Sequence, residues 1–151
     1  MHLQTYFDIL RARGVPVDVA HPDDDLGAYD SVVAPTLYLV DDGWVARLES
    51  YVRDGGHLLV SIRMGCKDRY DRVYETPRPG PMRSLVGATV EEHETVTDAL
   101  DTFVSYEGNH YNYRTWGEWL TPNRPESWAR IGAESVGARR KSRPTMSASG
   151  R

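Results

Sequence analysis

The chain has 151 residues, a length that fits one domain and is enough to bury a single core. Hydrophobic residues at 40% and charged residues at 26% are ordinary for a globular protein, and no run approaches the ~18 apolar residues of a membrane span, which argues against a membrane partner. The formal net charge is −4, but Arg130, Arg139, Arg140, Lys141, Arg143 and Arg151 gather at the end against Glu134 alone, so the body before them is acidic and a poor partner for nucleic acid.

The opening segment repeats apolar residues at Leu3, Tyr6, Phe7 and Leu10, the stripe of an amphipathic helix, with Gly14 and Pro16 as its stop signals. Val15, Val17 and Val19 alternate as in a short strand, and Ser31–Ala34 reads as a second strand stopped by Pro35. Asp41 or Asp42 is the expected N-cap of a helix carrying Val45, Leu48, Tyr51 and Val52 on one face and ending at Gly55-Gly56. The nearly unbroken apolar run His57–Ile62 fits a strand covered on both faces, as in a parallel sheet.

Residues 63–81 form a long polar loop rich in Arg, Asp and Pro, followed by a short helix from Pro81 to Val86 closed by Gly87. Short strands are expected at Ala88–His93 and Leu100–Val104, and a strand or hairpin over Tyr111–Trp119, within an aromatic segment that begins at Tyr106. From Ala133 on, Ser, Gly and Arg dominate and no element is expected. The single cysteine, Cys66, can form no internal disulfide, and no secretory leader is visible, so the expected location is cytoplasmic.

Four stretches in order carry a family resemblance: Gly14–Val19 with Ala34–Asp42, then Arg63–Asp68, Pro77–Pro81 and Trp116–Pro122. Together they resemble the middle, trimer-forming domain of glycoside hydrolase family 42 β-galactosidases, over residues 1–130. The resemblance implies a three-layer α/β/α, flavodoxin-like fold of the class I glutamine amidotransferase type, with a mainly parallel sheet. Residues 131–151 would then be a basic, Ser/Gly-rich tail, disordered or non-homologous, standing where the family's last strands complete the sheet. It also departs from the family pattern after the Lys-Asp pair, with Arg69 and Asp71 in place of an acidic residue and an asparagine.

In that family catalysis belongs to a separate (β/α)8 barrel of at least ~200 residues. No such segment precedes the first helix, so no catalytic residue is assigned and the chain is expected not to be an enzyme by itself. Its expected partners are copies of itself in a homotrimer and the parent enzyme's barrel. Arg63, Lys67, Asp68 and Arg72, with Tyr113, Trp116 and Trp119, are the expected interface or domain-packing residues.

Two rival readings rest on single features. Cys66 would serve an amidotransferase-like hydrolase, although it lies three residues beyond Arg63, which directly follows the strand, and lacks the closing glycine of a nucleophile elbow. The aromatics of 106–119 would serve a sugar-binding module, since Tyr and Trp stack on sugar faces; the plainer reading is core or interface. Glu91, Glu92 and Glu94 with Glu118 are read as a solvated face rather than a glycosidase pair. His2, His21, His57, His93 and His110 show no metal-ligand spacing, Asp23-Asp24-Asp25 reads as a turn rather than a calcium loop, and no glycine-rich phosphate loop is present, so no metal or cofactor is expected.

Overall fold

The computed structural model describes residues 2–97, 100–113, 115–123 and 130–135. The chain divides into two compact units, Met1–Val86 and Gly87–Arg151.

The first unit begins with helix α1, His2–Ala12, whose apolar stripe has no fully buried residue. Gly14, at a left-handed φ of 74°, ends it. The alternating valines 15, 17 and 19 make no strand; Val15 and Val19 are exposed, and without a neighbouring strand to pair with, alternation alone cannot hold a strand. Strand β1, Ser31–Ala34, runs parallel to β2, His57–Val60, in register Ser31↔His57 to Ala34↔Val60. Helix α2, Asp42–Arg53, makes the crossover, and Asp41 is its cap, its carboxylate accepting from Trp44 N at 2.9 Å.

The helix face read from the sequence is buried at Val45, Leu48 and Tyr51, but its fourth member, Val52, is 38% exposed. Val45, Leu48 and Tyr51 pack with Leu26, Val40, Met64 and Met82 as the core of this unit. Tyr51 also donates its hydroxyl to the Tyr29 carbonyl at 3.0 Å, and its ring occupies the space a Cβ on Gly56 would need. Strand β2 is not covered on both faces: Leu58 and Val60 are half-buried, while His57 and Leu59 are exposed. A 3-10 turn, Gly80–Met82, leads into helix α3, Arg83–Val86.

The second unit is built of antiparallel pairs. Strand β3, Ala88–Thr95, pairs with β6, Trp116–Pro122, with a register shift between Val90 and Glu92. Strand β4, Leu100–Tyr106, lies between β5, Asn109–Asn112, and β7, Arg130–Ser135. Glu107 and Gly108, both at positive φ, close the β4–β5 hairpin, the two-residue turn whose twist matches its flanking strands. Strand β7 forms partly inside the stretch whose composition predicts no element; residues 136–151 of the expected tail lie outside the described residues.

The expected fold class is therefore corrected. Among the described residues only β1 and β2 pair in parallel as named strands, and the sheets are mostly antiparallel, not a flavodoxin-like or amidotransferase-like parallel sheet. The physical reason lies in the connections. Parallel neighbours need a crossover of a dozen or more residues, usually helical. Helix α2 supplies one between β1 and β2, whereas β4 reaches β5 through two residues, which permits only antiparallel return. No helix among the described residues lies between β3 and β6 or between β4 and β7.

Candidate subunit interface

The segment after β2 is long but not loose. Leu39, Lys67 and Val73 form β-bridges, Leu39 with Lys67 in parallel and Lys67 with Val73 antiparallel. Gly65 N donates to Leu37 O at 2.9 Å, Val40 N to Lys67 O at 3.0 Å, and the Tyr74 hydroxyl to Val40 O at 2.9 Å. This small ribbon buries Val40, Met64 and Cys66 on its inner side.

Four sequence-predicted residues meet here. Arg63, at φ 60°, sets its guanidinium 5.4 Å from the centre of the Tyr38 ring, and Lys67 Nζ approaches the same ring at 5.6 Å. Lys67 also pairs with Asp71 at 2.8 Å, and that hydrogen bond is the first cause of its raised pKa. Asp68 accepts from Tyr70 N at 2.8 Å, Arg72 N at 3.0 Å and Arg72 Nε at 2.8 Å, with Arg72 Nη2 at 2.7 Å. Burial alone would raise the Asp68 carboxyl, but these hydrogen bonds, the backbone amide of Arg72 foremost, outweigh it and hold the pKa below the ordinary value. The result is a tight turn held by its own hydrogen bonds. Arg69 reaches back toward Asp41 at 3.7 Å, and Tyr70 stands exposed between Arg69 and Arg72.

Cys66 is buried, and its thiol points at the Arg63 and Met64 carbonyls, 3.4 and 3.8 Å away. It occupies the inner side of the ribbon rather than the tip of a strand, which is the wrong place for a nucleophile presented to a substrate. Asp23, Asp24 and Asp25 spend their carboxylates on local structure: on the Trp44 indole N–H at 2.9 Å, on His21 N at 2.7 Å and on Gly27 N at 3.0 Å. Among the described residues no three His, Cys, Asp or Glu side chains are grouped to hold a metal ion.

The other three predicted residues lie in the second unit. Tyr113 donates its hydroxyl to Glu94 Oε1 at 2.7 Å, and its ring lies over Gly117, where a Cβ would come within 2.8 Å of it. Trp116 and Trp119 are both half-buried on β6, and a spacing of three along a strand sends them to opposite faces, so they form no common stacking platform. Of the glutamates, Glu91 and Glu92 are exposed, Glu94 is engaged by Tyr113, and Glu118 is buried opposite His93. Sequence reasoning missed the Glu94–Tyr113 contact because the partners are 19 residues apart and no spacing rule links them.

Burial first, then the Glu94 hydrogen bond, pushes the Tyr113 phenol far above its ordinary value of 10.0. A folded pKa above the unfolded one gives stability that is complete below pH 10 and is lost as pH rises from there toward the folded value. Stability is therefore expected to fall above pH 10 with a slope of up to ~1.4 kcal/mol per pH unit. Tyr113→Phe should lower the urea midpoint at pH 8 by the equivalent of about 1–3 kcal/mol, since Glu94 is left unpaired, yet flatten the loss between pH 10 and 11. An unchanged alkaline slope in the variant would assign that slope to another group.

Comparison with known proteins places this geometry. A family model described as the β-galactosidase trimerisation domain matches residues 1–140. The β-galactosidase BgaH of Haloferax lucentense is 52% identical over 121 residues, covering 80% of this chain and 18% of that protein. The β-galactosidase Bga of Halorubrum lacusprofundi is 38% identical over 134 residues, covering 82% and 19%. Among solved structures, the polyextremophilic β-galactosidase from the Antarctic haloarchaeon Halorubrum lacusprofundi superposes with a TM-score of 0.78 at 40% identity, over 83% of this chain and 19% of that one. That of Bacillus circulans sp. alkalophilus gives 0.82 at 23% identity, over 88% and 21%, a likeness of fold alone. The chain thus spans about a fifth of the length of these proteins. It belongs to the family of β-galactosidase trimerisation domains, the non-catalytic middle domains of glycoside hydrolase family 42 enzymes.

Proposed function

We propose that this chain holds β-galactosidase subunits together as a homotrimer and supplies none of the groups that hydrolyse the galactoside. Its partners in this reading are copies of itself and the catalytic barrel of the parent enzyme. The observation that carries it is the match to the trimerisation domain over residues 1–140. The loop bearing Arg63, Lys67, Asp68 and Arg72 supports it: a turn locked by its own hydrogen bonds loses little conformational freedom when a partner covers it. The chemistry of the side chains agrees, since Cys66 is buried against carbonyls and Glu94 is bound to Tyr113. A cytoplasmic location belongs to the same proposal, in keeping with Cys66 being a free thiol.

A nitrophenyl β-galactoside assay of the purified 151-residue chain tests the non-catalytic half of the reading. The expected result is no release above the blank. Turnover that rises in proportion to chain concentration and survives re-purification would contradict it.

A further inference from the structure

Resting on the oligomerisation reading and deepening it, we propose that the first unit carries both halves of a head-to-tail contact between copies of this chain. One half is the outward face bearing Leu39, Tyr70 and Val73. The other is the acidic cleft beside the C-terminal end of α2, on the next copy.

The outward face follows from the ribbon's pairing. Residues joined in a β-bridge point to the same side, so Leu39, Lys67 and Val73 share a face, while alternation sends Val40 and Cys66 inward. Leu39 is left 39% exposed and Val73 70%. Tyr70, 71% exposed, stands at the tip of the adjoining turn, with the Arg69 and Arg72 guanidinium groups 5.9 and 5.4 Å from its ring centre. Three large apolar side chains held outward on a preformed turn are costly to leave in water, and tyrosine beside arginine is the composition that dominates binding energy at interfaces.

The second half follows from symmetry and charge. A closed trimer is heterologous, so each chain must present two different surfaces that fit one another. Helix α2, at 12 residues, is ~18 Å long. The Arg69 turn meets its N-terminal end at Asp41. Toward its C-terminal end lies a cleft of about 620 Å³ whose walls include Asp24, Asp25, Asp30, Asp54 and Tyr29, and whose cation, Arg47, is turned to the Asp23 carbonyl at 2.7 Å. Arg72 is already paired with Asp68. Arg69, its side chain 67% exposed beside Tyr70 and 3.7 Å from Asp41, complements such a cleft, and like charges would reject the pairing of two clefts.

Sedimentation velocity over a concentration series, on the full 151-residue chain, tests the pairing with Tyr70→Ser, Arg69→Asp, Asp30→Arg and the Arg69→Asp/Asp30→Arg double variant. Circular dichroism should find all four folded, because each position is on the surface. The concentration at which trimer gives way to monomer should rise about tenfold or more in each single variant and return toward the parent value in the double. Trimers of parent strength in the single variants would place the contact elsewhere and overturn this inference while sparing the oligomerisation reading. Weakened singles without rescue in the double would overturn the head-to-tail pairing. A parent chain that stays monomeric at every concentration would overturn the oligomerisation reading itself.

Discussion

Gly65→Ala should cost this protein a large part of its stability. Gly65 sits at φ +58°, and a Cβ there would collide with the Pro79 carbonyl oxygen. The left-handed conformation alone costs a residue with a side chain roughly 1–2 kcal/mol. The collision adds an overpacking cost of ~1–3 kcal/mol, because the obstacle is backbone and cannot rotate away. Against a typical stability of about 5–15 kcal/mol the sum is severe. Urea unfolding followed by circular dichroism should report a midpoint far below that of the parent chain. A midpoint within about 0.5 kcal/mol of the parent's would mean that the two segments do not approach as closely as described.

Met82→Ala should be of similar size for a different reason. Met82 is fully buried at the end of the 3-10 turn, within the core shared by Val40, Val45 and Leu48. Truncating a buried methionine removes apolar contacts and leaves a cavity, at ~2–5 kcal/mol. Its Cγ lies 3.4 Å from where a Gly65 Cβ would stand, so the two substitutions act on one joint. Their effects should therefore not add. The double variant is expected to be less damaged than the separate losses combined, though still unstable, since Pro79 remains in the way. A strictly additive pair, measured in the same urea series, would speak against the shared joint.

How much of this was legible in the sequence depends on the range of the interaction. Helix α2 was readable because its cap and its face are local: Asp41 acts on the next turn, and Val45, Leu48 and Tyr51 recur at helical spacing. The short helix ahead of Gly87 and the strands near residues 88–106 were readable for the same reason. Strand direction was readable for β1 and β2, which pair in parallel across α2, but not for the other pairs. The run at His57–Ile62 invited a parallel sheet throughout, and the resemblance pointed to a flavodoxin-like class, but the two residues between β4 and β5 allow only antiparallel return.

The candidate interface divides in the same way. Arg63, Lys67, Asp68 and Arg72 could be singled out because they crowd one loop, and they do come together. Tyr70 was passed over, since a lone tyrosine among charges signals nothing until Asp68 is seen to fix the turn that exposes it. Tyr113, Trp116 and Trp119 were grouped by sequence proximity, which the opposite faces of a strand undo.

Sedimentation equilibrium measures directly whether this polypeptide assembles. A species of three times the 17.1 kDa chain mass is expected, giving way to monomer only on dilution. A single 17.1 kDa species up to high micromolar concentration would contradict it.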